Sequence, residues 1–197
     1  MTPRNRPTTG AHAIAAAASA RDGLASGKPG PAALDIMRRS DIGPLGTVTL
    51  IMTLLLQVTA LSQAESAGHG RGPAALIAAV VTGRLAVTWA CRRGVPAARP
   101  DGLGALVAGS VRPAVPAAAT AAVLAAAAAA VAISAAVAGR PLGWTLPLAV
   151  AAGLGLAFAV QRHAVRRLGG VTGDVLGALA EIATTATLVV AAMGPAA

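Results

Sequence analysis

Long apolar runs, broken by short polar connections that carry most of the arginines, set the pattern of this chain. Leu45 to Ser62 holds no charge and is just long enough to cross the hydrocarbon core as a helix. Pro73 to Ala90, which contains Arg84, Pro113 to Ala138, Leu142 to Val160, and Val171 to Met193, which contains Asp174 and Glu181, are the other long apolar segments. Together they predict an all-α, polytopic integral membrane protein with about five transmembrane helices, its helical domain covering 45–193.

The preceding stretch has a different texture. Arg21 to Pro44 is polar and turn-rich, with a short amphipathic helix through Leu34, Ile36 and Met37 that Pro44 ends. Asp35 and Arg39, four residues apart, make a weak surface ion pair on that helix, or belong to a cytoplasmic segment that holds phosphates. Residues 1–20 imitate a signal peptide, with Arg4 and Arg6 ahead of an alanine run that ends Ala-Ser-Ala. Alanine is too weakly apolar for that role, so a poorly ordered leader is expected.

Composition sharpens the membrane assignment. With 197 residues, 55% hydrophobic and 12% charged, and a mean hydropathy of +0.69, the chain has more apolar surface than one soluble core of this size can hide. The net charge of +9 is not matched by stacking aromatics, which make up only 2% of the chain with no Tyr, so nucleic acid is not the expected partner. Membrane orientation accounts for the cations better. Arg4, Arg6, Arg21, Lys28, Arg38 and Arg39, then Arg92, Arg93, Arg99 and Arg112, then Arg162, Arg166 and Arg167 fall on one side, against Arg71 and Arg140 on the other. Basic residues concentrate in short cytoplasmic loops, which predicts a cytoplasmic N-terminus and gathers every aspartate, including Asp22, Asp35, Asp41, Asp101 and Asp174, at the cytoplasmic face.

Candidate chemistry centres on Leu168 to Glu181, a glycine-rich turn that runs into the fifth apolar segment with two of the chain's seven carboxylates. Gly169, Gly170, Thr172 and Gly173 suit the approach of backbone N–H groups to an anion at a helix N-terminus. Asp174 is the better metal candidate, with Asp22, Asp41 or Asp101 available as a second ligand; carboxylates together with substrate phosphates suit magnesium. The plainer role for Asp174 is electrostatic capping of its helix. Arg84 and Glu181 each stand about 10 Å inside the membrane by helical rise, and neither charge is stable alone in lipid, so a structural ion pair between them is expected. Cys91 excludes an internal disulfide and fits a small buried hydrophobe. His12, His69 and His163 are too scattered for a zinc site or a triad.

Gly169-Gly170-Val171-Thr172-Gly173-Asp174-Val175-Leu176-Gly177 resembles the C-terminal signature of the cobalamin synthase (adenosylcobinamide-GDP ribazoletransferase) family. Three blocks agree in order: Leu34 to Gly43, Thr82-Gly83-Arg84 and Gly102-Leu103-Gly104. The resemblance implies a multi-pass transferase of the bacterial plasma membrane with its catalytic face cytoplasmic. Such an enzyme joins adenosylcobinamide-GDP to α-ribazole, or its 5′-phosphate, in the last steps of cobalamin biosynthesis, and releases GMP with magnesium required. It further implies catalytic roles for Asp22, Arg38, Ser40 and Asp41, metal binding by Asp174 and Asp22, and phosphate contacts from the glycine turn and from Arg92 or Arg93. A complex with other cobalamin-assembly enzymes is a further implied partnership, beside membrane lipid.

The chain also departs from the family pattern. Of an N-terminal acidic segment only Asp22-Gly23-Leu24 corresponds; Arg38-Arg39-Ser40-Asp41 replaces Arg-Asp-Ser-Arg; and Thr184 stands where a second acid often follows Glu181. An N-terminally truncated transferase, without turnover on its own, is the resulting expectation. A non-catalytic membrane scaffold, a CDP-alcohol phosphotransferase-like lipid enzyme, whose tight aspartate cluster is missing, and a small transporter, disfavoured by its few midplane polar groups, are the alternatives.

Overall fold

The computed structural model describes residues 44–68, 70–138 and 144–194. The leader, the amphipathic helix before Pro44 and the candidates Asp22, Arg38, Ser40 and Asp41 lie outside the described residues. Six helices follow one another: α1 (Pro44–Ser66), α2 (Arg71–Ala90), the short α3 (Gly102–Val107), α4 (Ala114–Ala138), α5 (Thr145–Leu168) and α6 (Gly173–Ala192). All except α3 are long and apolar enough to cross a membrane. No strand occurs among the described residues, only the isolated parallel bridges Arg92–Val111 and Ala97–Val171. The protein is therefore all-α and polytopic.

α6 is the hub. Half of its span, 50%, is buried, and it packs on α1, α2, α3 and α5. α4 is the opposite case, with 6% of its span buried and its main contacts confined to α2 and α5. Lipid is as apolar as leucine, so helices associate in a membrane through close packing of small residues instead of through water exclusion. The core obeys that rule: Ala79, Ala149 and Ala183 are completely buried, whereas Ile51, Leu55, Val58, Ile133 and Val137 point outward.

Two glycines set the helix spacing. A Cβ on Gly83 of α2 would stand 2.5 Å from Thr184 Oγ1 and 3.0 Å from the Ala180 carbonyl of α6. One on Gly153 of α5 would collide with Thr187 Oγ1 and approach the Ala183 carbonyl to 2.8 Å. α6 thus lies between two glycine notches, and Thr184 Oγ1 donates across one of them to Ala79 O at 3.4 Å.

α5 runs on to Leu168, past the expected limit at Val160. Arg166 and Arg167 occupy its last turn, where cations complement the helix dipole, and Gly169 ends it in the left-handed conformation at φ 80°. The C-termini of α2 and α5 and the N-termini of α4 and α6 share one end of the bundle, held together by the two bridges. Arg92, Arg93, Arg99, Arg112, Arg162, Arg166 and Arg167 all collect there.

Candidate functional site

The turn between α5 and α6 is fixed by three close approaches. Gly170 lies so near the Pro96–Ala98 backbone that a side chain would overlap it. Val171 closes the contact from both of its peptide groups, N–H to Pro96 O at 2.9 Å and carbonyl to the Ala98 N–H at 3.0 Å. On the other side, a Cβ at Gly104 of α3 would sit 2.6 Å from Val171 O and 2.9 Å from Thr172 Cα. Glycine is needed at Gly170 and Gly104 because backbone meets backbone there. Thr172 is the N-cap of α6, its Oγ1 accepting from Val175 N at 3.2 Å. That threonine side chain is consumed by capping.

A groove of about 620 Å³ opens beside this turn, between α2, α3 and the start of α6. Arg84 and Cys91 line it from α2, Arg99 and Asp101 from the connection before α3, and Thr172, Gly173 and Asp174 from the turn. Asp174 occupies the first turn of α6 and lines the groove together with Arg99. Asp101 is the N-cap of α3 without making a side-chain capping bond. Two carboxylates and two guanidiniums, drawn from three separate elements, thus border one cleft.

Several expectations are redrawn by these positions. Thr172, Gly173 and Asp174 line the groove, whereas Gly170 serves backbone packing and Gly169 ends α5. Arg92 is not in the groove: it lies across α2, its guanidinium donating to Trp89 O at 2.9 Å and to Gln161 Oε1 of α5 at 3.3 Å. The Arg84–Glu181 ion pair does not form among the described residues. Ala180 and Thr184 occupy the face of α6 that meets Gly83, and Glu181, one residue onward, is turned about 100° away. Its carboxylate instead accepts from Gln57 Nε2 of α1 at 3.0 Å. Arg84 is exposed and points into the groove.

Arg99 was legible in the sequence only as one of the cations that set orientation, and its place opposite Asp174 follows from the Ala97–Val171 bridge, which no local pattern announces. Cys91, buried as expected, proves to be part of the groove wall. Burial pushes its thiol above the usual range.

No group of three or more His, Cys, Asp or Glu side chains gathers as a metal cage among the described residues. Asp101 and Asp174 still offer a donor set that fits magnesium, which is commonly held by one or two carboxylates, retained waters and substrate phosphates instead of by an all-protein cage.

A family model described as Cobalamin-5-phosphate synthase matches residues 8–192. An adenosylcobinamide-GDP ribazoletransferase of Frankia casuarinae is 44% identical over 161 residues, covering 82% of this chain and 57% of that protein. Proteins of the same name from a Nocardioides species and from Stutzerimonas stutzeri are 33% and 35% identical, over 85% and 92% of this chain and 59% and 68% of their own lengths. The chain spans about three fifths of the length of the Frankia and Nocardioides relatives. No solved structure matches it significantly.

Proposed function

The chain belongs to the cobalamin-5-phosphate synthase family, and from that premise we propose that its glycine-turn groove serves adenosylcobinamide-GDP ribazoletransferase chemistry at the cytoplasmic face of the bacterial plasma membrane. The observation that carries this reading is the meeting of Arg84, Arg99, Asp101 and Asp174 in one groove at the arginine-rich end of the bundle.

The reaction needs a ribazole hydroxyl oxygen to bond the phosphorus that bears cobinamide, while the P–O bond to GMP breaks and GMP departs with the electron pair; the hydroxyl proton passes to solvent. Little covalent chemistry is asked of the protein, so alignment and charge neutralisation supply the catalysis. Arg84 and Arg99 would neutralise the two phosphates from opposite walls of the groove, one from the membrane side and one from the connecting segment. The backbone at Gly173 allows a phosphate oxygen to approach the start of α6, where the helix dipole favours negative charge. Asp101 and Asp174 would hold magnesium, which withdraws charge from phosphate oxygens when bound.

The test uses the native gene expressed in a bacterium that lacks ribazoletransferase, with its membranes supplied with adenosylcobinamide-GDP, α-ribazole and magnesium. Release of GMP, or saturable magnesium-dependent binding of adenosylcobinamide-GDP that Asp174→Asn abolishes, supports the proposal. Membranes that contain the protein and neither bind that nucleotide nor release GMP overturn it.

A further inference from the structure

On the far side of α2 from the glycine turn lies a second cavity, of about 360 Å³, bounded by α2, α4 and α5. Its walls are apolar, formed chiefly by Trp89, Leu154, Ala157 and Phe158. It lies within about 10 Å of the arginine-rich helix ends, since Trp89 is next to last in α2 and Gln161 is seven residues short of the end of α5. It exists because α4 is so loosely seated: its alanines leave room that Gly155, with nothing within 4 Å of a Cβ position, does not fill.

Polar features concentrate at one rim. Arg92 Cζ stands 5.5 Å from the Trp89 ring centroid and 5.4 Å from that of Phe158, and Arg162 Cζ stands 5.8 Å from the same Phe158 ring. Two guanidiniums therefore converge on one aromatic ring. Neither meets a carboxylate among the described residues, and none of the cavity walls is acidic. Gln161, only 3% exposed, lines the cavity, and its Oε1 accepts from Arg92. Two like charges at the rim of an apolar cavity in a membrane-spanning bundle suit a ligand with an anionic head and a hydrocarbon body.

We propose that this cavity is a binding site for one anionic phospholipid: an acyl chain occupies the α2–α4–α5 cavity and the headgroup phosphate bridges Arg92 and Arg162, with Gln161 donating to an ester or phosphate oxygen. The site is separate from the nucleotide groove, which opens on the other side of α2. The lipid would fill the space that α4 leaves and neutralise charge that no side chain of the bundle neutralises.

Trp89 and Trp144 are the only tryptophans, and Trp144 is exposed at the opposite end, at the start of α5. The full chain carrying Trp144→Phe, reconstituted in phosphatidylcholine vesicles, therefore reports the cavity through Trp89 fluorescence. Brominated phosphatidylglycerol is expected to quench Trp89 at several-fold lower mole fraction than brominated phosphatidylcholine, a preference of about five-fold per guanidinium. Arg92→Gln combined with Arg162→Gln is expected to equalise the two lipids, and Arg112→Gln, an exposed arginine at the same end, to leave the preference intact. Gly155→Leu keeps the rim and fills the cavity, so it is expected to lower quenching by both lipids. Equal quenching by the two lipids in the parent, an equal loss on Arg112→Gln, or displacement by inorganic phosphate would each overturn the proposal.

Discussion

Gln57 Nε2 donates to Glu181 at 3.0 Å and to Thr185 Oγ1 at 2.9 Å, so the acid within α6 is partnered by an amide of α1 and not by an arginine. This one side chain ties the weakly buried first span to the hub helix. Replacing it with leucine leaves a part-buried carboxylate with no donor, which is expected to cost about 1–2 kcal/mol. Unfolding in detergent, followed by helical circular dichroism, measures the loss. Arg84→Ala is expected to change stability by less than about 0.5 kcal/mol, because that guanidinium is exposed in the groove.

Gly153 and Gly155 are two residues apart on α5 and differ completely in surroundings. Gly153→Ala forces a methyl group against Thr187 and the Ala183 carbonyl, which is expected to destabilise by about 1–3 kcal/mol through separation of α5 from α6. Gly155→Ala meets open space and improves helix propensity, so a gain of up to about 1 kcal/mol is expected. Thermal melting of the two variants in the same detergent compares them directly.

Asp174→Asn preserves shape and removes charge. Under the proposed function, magnesium-dependent nucleotide binding, and any GMP release, is expected to fall by at least about 100-fold, with the protein level in the membrane unchanged. Asp101→Asn is expected to act in the same direction and, if both carboxylates serve one ion, the double variant loses little beyond the worse single one. Steady-state GMP release at varied magnesium separates metal affinity from turnover.

Cys91 offers a reporter for the groove. Its pKa is raised by burial, so at neutral pH the thiol holds less of the reactive thiolate than an exposed cysteine does. Maleimide labelling is expected to be slow at neutral pH, to quicken as pH rises beyond the ordinary thiol range, and to slow again when magnesium and GDP occupy the groove. Mass spectrometry of the intact chain follows the adduct.

Much of this was legible in the chain itself. Apolar runs of about 18 residues or more, nearly free of charge, located the five spans, because the bilayer sets a minimum length that any spanning helix must meet. The Gly169-to-Asp174 turn stood out as glycines and an acid beside an apolar helix, but that Gly169 ends α5 and Gly170 packs on the Pro96–Ala98 backbone was not legible. Depth along a helix could be counted, which put Arg84 and Glu181 at similar levels, but rotation about the axis could not. With alanine on most faces, no apolar stripe indicated which side of α6 met α2, so the expected partner of Glu181 was misplaced by one helix neighbour. For the same reason Arg84, and not Arg92, borders the groove. Arg99 and Asp101 sit in a non-periodic connection whose position depends on the Ala97–Val171 bridge, a contact between segments far apart in sequence.

The central position of α6 has a consequence for biogenesis. Every other described span is made before the helix around which it is arranged, so α2 and α5 enter the bilayer with their Gly83 and Gly153 notches empty. Until α6 arrives, Arg84 and Arg99 face no acid from it, and the groove lacks the wall that carries Asp174. Completion of the groove accordingly waits on α6, and an insertion defect there would leave the earlier helices packed only on one another, without the helix that carries Asp174.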